Sequence, residues 1–194
     1  RGAIHLMNNW YTALKDYFPE SELKSKEHFD KLLADKGEFY KVEEGPNFVL
    51  VYFEKEDFVF VDFILVYSGG RSKGTGSKVL NHLKQKKKPI ILEVEPVSAD
   101  SPDTRKRVRF YEKSGFRRMN DVEYTRIHPV TKEVIDLDLF YWSPTIKSPR
   151  WAIDTMETVY KEIHSYDSEE IYDAPPQAVE DILSLKEDNY RQAK

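Results

Sequence analysis

The residue types and spacings best suited to chemistry are concentrated in Arg71-Ser72-Lys73-Gly74-Thr75-Gly76-Ser77. They follow an apolar run from Phe58 to Tyr67, so the chain reads there as a buried strand, a tight glycine turn and the start of a helix near Gly76. Glycine at 74 and 76 leaves no side chain to hold a bulky anion away from the backbone. The free N–H groups of a helix's first turn point at such an anion, and the helix dipole favours its charge. Arg71 and Lys73 add cationic donors beside it. The chemistry this stretch suits is phosphate binding, although a turn that merely joins strand to helix would contain the same glycines.

The kind of phosphate ligand follows partly by exclusion. No Gly-Lys-Ser/Thr occurs, which removes a nucleotide P-loop. Val79 stands where a dinucleotide fingerprint needs its third glycine. Downstream lies a short strand bounded by prolines, Pro89-Ile90-Ile91-Leu92-Glu93-Val94-Glu95-Pro96. A helix ending in Arg109-Phe110-Tyr111-Glu112-Lys113-Ser114-Gly115-Phe116 follows it. Arg71-x-x-Gly74-x-Gly76 followed by Phe-Tyr-Glu-Lys-x-Gly-Phe, in that order, resembles the GNAT superfamily of acyl-CoA-dependent N-acetyltransferases. The resemblance spans roughly residues 4 to 142 and is sharpest from 58 to 118.

The resemblance implies an α/β fold with a mixed, largely antiparallel sheet and helices on both faces. The strands at 58–66 and 90–95 would run parallel but splay apart at one end. It implies acetyl-CoA as acyl donor, with its diphosphate over residues 71–77 and its pantetheine arm in the wedge, paired with backbone groups of Leu65 and Val66. It also implies direct attack by a primary amine of a small-molecule or peptide acceptor in a ternary complex, with a strand amide near Val66 stabilising the tetrahedral intermediate. Tyr111 would protonate the departing thiolate. A catalytically silent acyl-CoA-binding regulatory module would use the same pocket without turnover. One departure from the pattern stands out: family members often carry an asparagine between strand and tyrosine, and here Pro96-Val97-Ser98-Ala99-Asp100-Ser101 has none. Ser98 or Ser101 is the substitute the sequence offers, the alternative being that the contact is absent.

The acid–base chemistry can be read from the residues as well. A thiol of pKa about 8.5 and a phenol of about 10 are matched for proton transfer, which suits Tyr111. A core tyrosine one turn after Val108 is the bland alternative. Glu93 and Glu95 alternate with Val94 and share a strand face, and Asp62 sits among Phe60, Phe63 and Ile64. Carboxyls in apolar surroundings should be raised in pKa, as a base needs. Glu95, nearer the cleft, is the first choice and Glu93 the second. The alternatives are pairing with Arg107 or Arg109, or a water chain as base. The resemblance also implies that Tyr11, Tyr17 and Phe18 wall the acceptor, where rings can stack on a cation, the alternative being that they are core.

Positioning these groups requires about ten elements. Trp10, Tyr11, Leu14 and Phe18 recur with Met7 at helical spacing up to Pro19, and Phe29, Leu32 and Leu33 mark a second helix closing near Gly37. Strands are expected at about 38–44, 48–53, 58–66 and 90–95, then at 121–128 and 134–142, with helices at 76–87 and from Ser101-Pro102-Asp103 to Gly115. Residues 1–142 would form the acetyltransferase domain and 143–194 a C-terminal helical extension. Ala152, Met156, Val159 and Ile163 share a helical face there, and Pro175-Pro176 opens a helix carrying Val179, Ile182 and Leu183. The extension is free to pack on the core, cover the cleft or join two subunits as a homodimer.

Composition narrows the classes. With 194 residues, 33% charged and 40% hydrophobic, the chain is globular in type, and a net charge of -4 gives no reason to expect nucleic acid. The basic run Lys84-Gln85-Lys86-Lys87-Lys88 reads as a solvated helix end. Absence of cysteine excludes disulfides and passage of the acyl group through a thiol. The five histidines show no ligand spacing, so no metal is expected. No membrane span or signal pattern appears, and a cytoplasmic location is the expectation.

Overall fold

The computed structural model describes residues 9–71 and 73–186; Met7 lies outside them. Two helices come first, α1 (Asn9–Tyr17) and α2 (Lys26–Lys36), the latter capped by Ser25, whose hydroxyl accepts from the His28 amide. Three antiparallel strands follow: β1 (Tyr40–Glu44), β2 (Phe48–Glu54) and β3 (Val59–Val66). A four-residue turn of helix, α3 (Ser68–Arg71), leads into α4 (Thr75–Lys84), then β4 (Ile90–Val94) and α5 (Pro102–Lys113). The remaining strands of this part are β5 (Arg117–Arg118), β6 (Val122–Ile127), β7 (Val134–Asp136) and β8 (Asp138–Trp142).

The main sheet has the order β1-β2-β3-β4-β8-β5, and only β3 and β4 run parallel. Alternation sends Val49, Val51, Phe53 and Ile91 to the face covered by α1 and α2, and Leu50, Tyr52, Ile90 and Leu92 to the face covered by α4 and α5. This is the mixed α/β sheet the sequence implies, with two amendments. The strand expected over 134–142 breaks at Leu137. Its first part pairs with β6 in a separate three-stranded sheet, and its second part enters the main sheet between β4 and β5.

The second amendment concerns the C-terminal segment, which is not wholly helical. After α6 (Pro149–Val159) the helix widens into a π turn at Tyr160–His164, and α7 (Ser168–Tyr172) and α8 (Val179–Ile182) follow. Then β9 (Leu183–Leu185) pairs antiparallel with β6. Ala152, Met156, Val159 and Ile163 are fully buried in the same core as Leu14 and Phe29. Of the three places open to the extension, packing on the core is the one observed. Among the described residues, no helix is long and apolar enough to cross a membrane.

Candidate active site

The parallel pairing of β3 with β4 lasts only three residues, ending at Val61–Leu92. Beyond it the strands part, and a cavity of about 500 Å³ opens between them, lined by β3 from Val61 to Val66 and by Glu93 and Glu95. Register decides which backbone groups face this wedge. The Tyr67 amide donates to the Asn47 carbonyl at 2.8 Å, so Leu65, opposite Val49, also turns its polar groups toward β2. Val66, opposite Phe48, turns its own toward the wedge. Both residues line the cavity, but only Val66 offers backbone hydrogen bonds there, which corrects the expectation for Leu65.

The glycine loop is organised by two separate constraints. Gly74 is the N-cap of α4 at φ 72°, a left-handed conformation that side chains disfavour. Gly76 is held by packing: a Cβ there would lie 2.9 Å from the Phe110 ring. Thr75, Gly76 and Ser77 form the first turn of α4, where backbone amides lack helical partners. The helix thus starts one residue earlier than expected. Of the loop, Arg71 and Gly76 line the cavity, whereas Lys73, Gly74, Thr75 and Ser77 lie outside its lining. Arg71 does not extend toward the loop: its Nε donates to the Val66 carbonyl at 3.1 Å, and its guanidinium lies 5.6 Å from the Tyr17 ring centre.

Tyr111 is fixed by the way α5 ends. Gly115, at φ 84°, donates its amide to the Glu112 carbonyl, and the Phe116 amide reaches back to the Tyr111 carbonyl at 3.0 Å. This is a Schellman stop, and it folds the Phe116 ring to within 5.8 Å of the Tyr111 ring. The Tyr-Glu-Lys-Ser-Gly-Phe string is therefore a device that locks the tyrosine's last turn. Tyr111 is 5% exposed and borders the cavity. Burial pushes its phenol up to about 12 against the opposing charge of Arg107. It holds its proton throughout the neutral range.

The carboxylates divide by environment. Glu93 is held well below the usual carboxylate range: burial would raise it, but Arg126 (Nη2 to Oε2, 3.0 Å) and His164 (Nε2 to Oε1) outweigh burial. The expectation of a raised carboxyl is thus reversed at Glu93, because β6 and the C-terminal segment supply partners. Glu95 lies half exposed at the cavity with Arg107 3.6 Å away. Among the described residues, the carboxyl with an increased proton affinity is Glu22, in the turn before α2, raised by burial and then by the charge of Glu95. Asp62 accepts from Lys24 at 2.8 and 3.0 Å and from the Tyr40 hydroxyl at 2.6 Å.

Tyr17 and Phe18 border the cavity, while Tyr11 packs against Trp10 and Phe29. Ser98 and Ser101 do not border it. The Ser98 hydroxyl accepts from the Asp100 amide, and Ser101 starts α5 without a side-chain cap. The basic run at 84–88 is tied down, with Lys86 and Lys88 each 2.9 Å from Glu54. Sequence reasoning missed Glu22, Lys24, Arg126 and His164. Glu22 and Lys24 are polar positions in a short loop, and Arg126 and His164 come from distant elements, so no spacing links them to the site.

A mixed sheet with one parting parallel pair, a left-handed glycine at the start of the intervening helix and a buried tyrosine beside the gap defines a GNAT-type acyltransferase. No family model matches the chain. It is 38% identical over 177 residues to "Putative acetyltransferase YjbC" of Bacillus subtilis (strain 168), covering 91% of this chain and 92% of that protein. Among solved structures it resembles "Putative acetyltransferase from GNAT family from Bacteroides thetaiotaomicron", with a TM-score of 0.63, 20% identity and coverage of 87% and 93%. It also resembles the ribosomal-protein-S18-alanine N-acetyltransferase of Escherichia coli, with a TM-score of 0.51, 18% identity and coverage of 76% and 93%. The chain belongs to the GNAT superfamily and is an acetyltransferase.

Proposed function

We propose that the protein transfers an acetyl group from acetyl-CoA to a primary amine of a small-molecule or peptide acceptor, both substrates being bound together. The observation that carries this reading is the end of the β3–β4 ladder at Val61–Leu92, which opens a cavity reaching from Gly76 to Tyr111. The donor's fit rests on the loop, where Gly74 supplies the left-handed turn and a side chain at 76 would fill the space beside Phe110. A solved aminoglycoside 6'-N-acetyltransferase of similar fold (TM-score 0.50) is complexed with coenzyme A, which supports the same donor class. Acetyl-CoA supplies a thioester whose thiol is a competent leaving group.

The chain's own groups do the remaining work. The first-turn amides of α4, with Lys73, hold the diphosphate. The Val66 backbone, once Arg71 releases its carbonyl, aligns the pantetheine arm, and an amide at this strand end stabilises developing negative charge. Tyr111 donates its proton to the departing sulfur. Glu22, with Glu95 beside it, takes the proton of the acceptor's ammonium, and Tyr17 and Phe18 form a wall of the acceptor space. Glu93 stays ionised and paired, and is not the base.

Free-thiol release from acetyl-CoA, measured over a panel of primary amines for the wild type and Tyr111→Phe, tests this reading. Amine-dependent release that drops sharply in the variant supports it. Binding of acetyl-CoA without turnover on every amine would favour the silent module instead.

A further inference from the structure

Where the β3–β4 ladder ends, the next residue on each strand is a carboxylate, Asp62 on β3 and Glu93 on β4. Asp62 is the extra residue of a β-bulge, since Tyr52 pairs with Val61 and Val51 with Phe63. Both carboxylates point to the face carrying α1, α2 and α6, where Asp62 meets Lys24 and Tyr40 and Glu93 meets Arg126 and His164. Like charges on adjacent strands repel, and here each has its own cation. Between the two ion pairs stands His164, from the π turn of the C-terminal segment, its side chain 3% exposed.

We propose that His164 is a positioning residue that braces the parted ends of β3 and β4, and thereby sets the width of the donor wedge. Its geometry forms one unbroken path. Lys24 Nζ donates to both Asp62 oxygens and lies 3.2 Å from His164 Nδ1, while His164 Nε2 meets Glu93 Oε1. An ammonium has no lone pair to offer, so Nδ1 must accept and the imidazole proton must sit on Nε2, donating to Glu93. The path links the side chains of the two strands at the point where their backbone pairing stops. While the path is intact, the strand ends beyond Val61–Leu92 are tied to each other through His164 and not through backbone pairing.

Groups of both signs face the ring, and their balance with burial favours the neutral form. Lys24 precedes α2, Arg126 and Tyr124 come from β6, Asp62 from β3, Glu93 from β4, Tyr40 from β1 and His28 from α2, while the Phe60 ring meets the imidazole edge-on at 5.5 Å. Burial pushes His164 down to about 4, and Arg126 and Lys24 add to that against the pull of Glu93. A proton on Nδ1 would face the Lys24 ammonium directly.

The inference rests on the proposed donor site for its functional consequence, so the test reads the brace in two ways. His164→Gln keeps one acceptor and one donor; His164→Leu removes both. Calorimetry with CoA and amide hydrogen exchange of segments 62–66 and 93–95 are measured for the wild type and both variants. The leucine variant is expected to lose CoA affinity by about tenfold or more and to exchange faster in both segments, with the glutamine variant staying within about threefold of wild type. Wild-type affinity and exchange in His164→Leu would overturn the brace. Failure of the wild type to bind CoA would overturn the donor assignment, while exchange still decides the brace. Should His164→Leu not fold, nitrogen NMR of the wild-type imidazole decides: an Nε2–H tautomer held from about pH 8 to about pH 5.5 is expected, and an Nδ1–H tautomer or an imidazolium at about pH 6.5 overturns the proposal.

Discussion

An acceptor amine reaches neutral solution as an ammonium, and Glu22 is the carboxyl lining the cavity whose proton affinity is raised. Glu22→Gln should lower kcat/KM at least about tenfold at pH 7, with the gap narrowing above about pH 9, where the amine is already neutral. An equal deficit at both pH values would assign Glu22 to binding alone. Tyr111→Phe should cut kcat by about a hundredfold while leaving CoA affinity intact, which calorimetry and steady-state rates separate. Because burial pushes Tyr111 up to about 12, its ionisation should impose no loss of rate below about pH 10. At this scale the placement of Tyr111 at the cavity was legible because a seven-residue string surrounds it. The fate of Glu93 was not, because its partners stand at positions 126 and 164.

Glycines carry the elements that present these groups. Gly115 ends α5 in a left-handed conformation, so Gly115→Ala should cost about 1–2 kcal/mol in urea unfolding and lower kcat, since Tyr111 rides on that last turn. A stability loss with unchanged kcat would separate the helix stop from the chemistry. Period-two and period-3.6 patterns made β2, β3, β4, α4 and α5 readable to within a few residues. The break at Leu137 escaped because the apolar pattern continues through it, while pairing partners change from β6 to β4 and β5. Likewise Leu183 continues an apolar face by spacing, yet it opens β9 because the exposed edge of β6 accepts a strand there.

Taken whole, the molecule joins the C-terminal segment to the catalytic sheet through one core and one charged path. Three buried histidines have a proton affinity depressed from 6.5, in each case chiefly by burial: His28 to about 3, His164 to about 4, and His128. The unfolded chain binds these protons first, so the stability they contribute is present above pH 6.5 and lost as pH falls through 4 to 3. Glu93, also depressed, adds its own loss below 4.5. Denaturant titrations across that window should show a falling free energy of unfolding, and the fall should shrink in His164→Gln. A flat profile from pH 7 to pH 4 would contradict the buried neutral imidazoles. The parallel pair and its glycine loop make the most direct measurement a calorimetric comparison of CoA with pantetheine. The expected result is saturable binding of CoA, weaker by about tenfold or more for pantetheine, which lacks the diphosphate and nucleotide. Equal affinity for the two, or no heat with CoA at about millimolar concentration, would contradict a diphosphate seat on the first turn of α4.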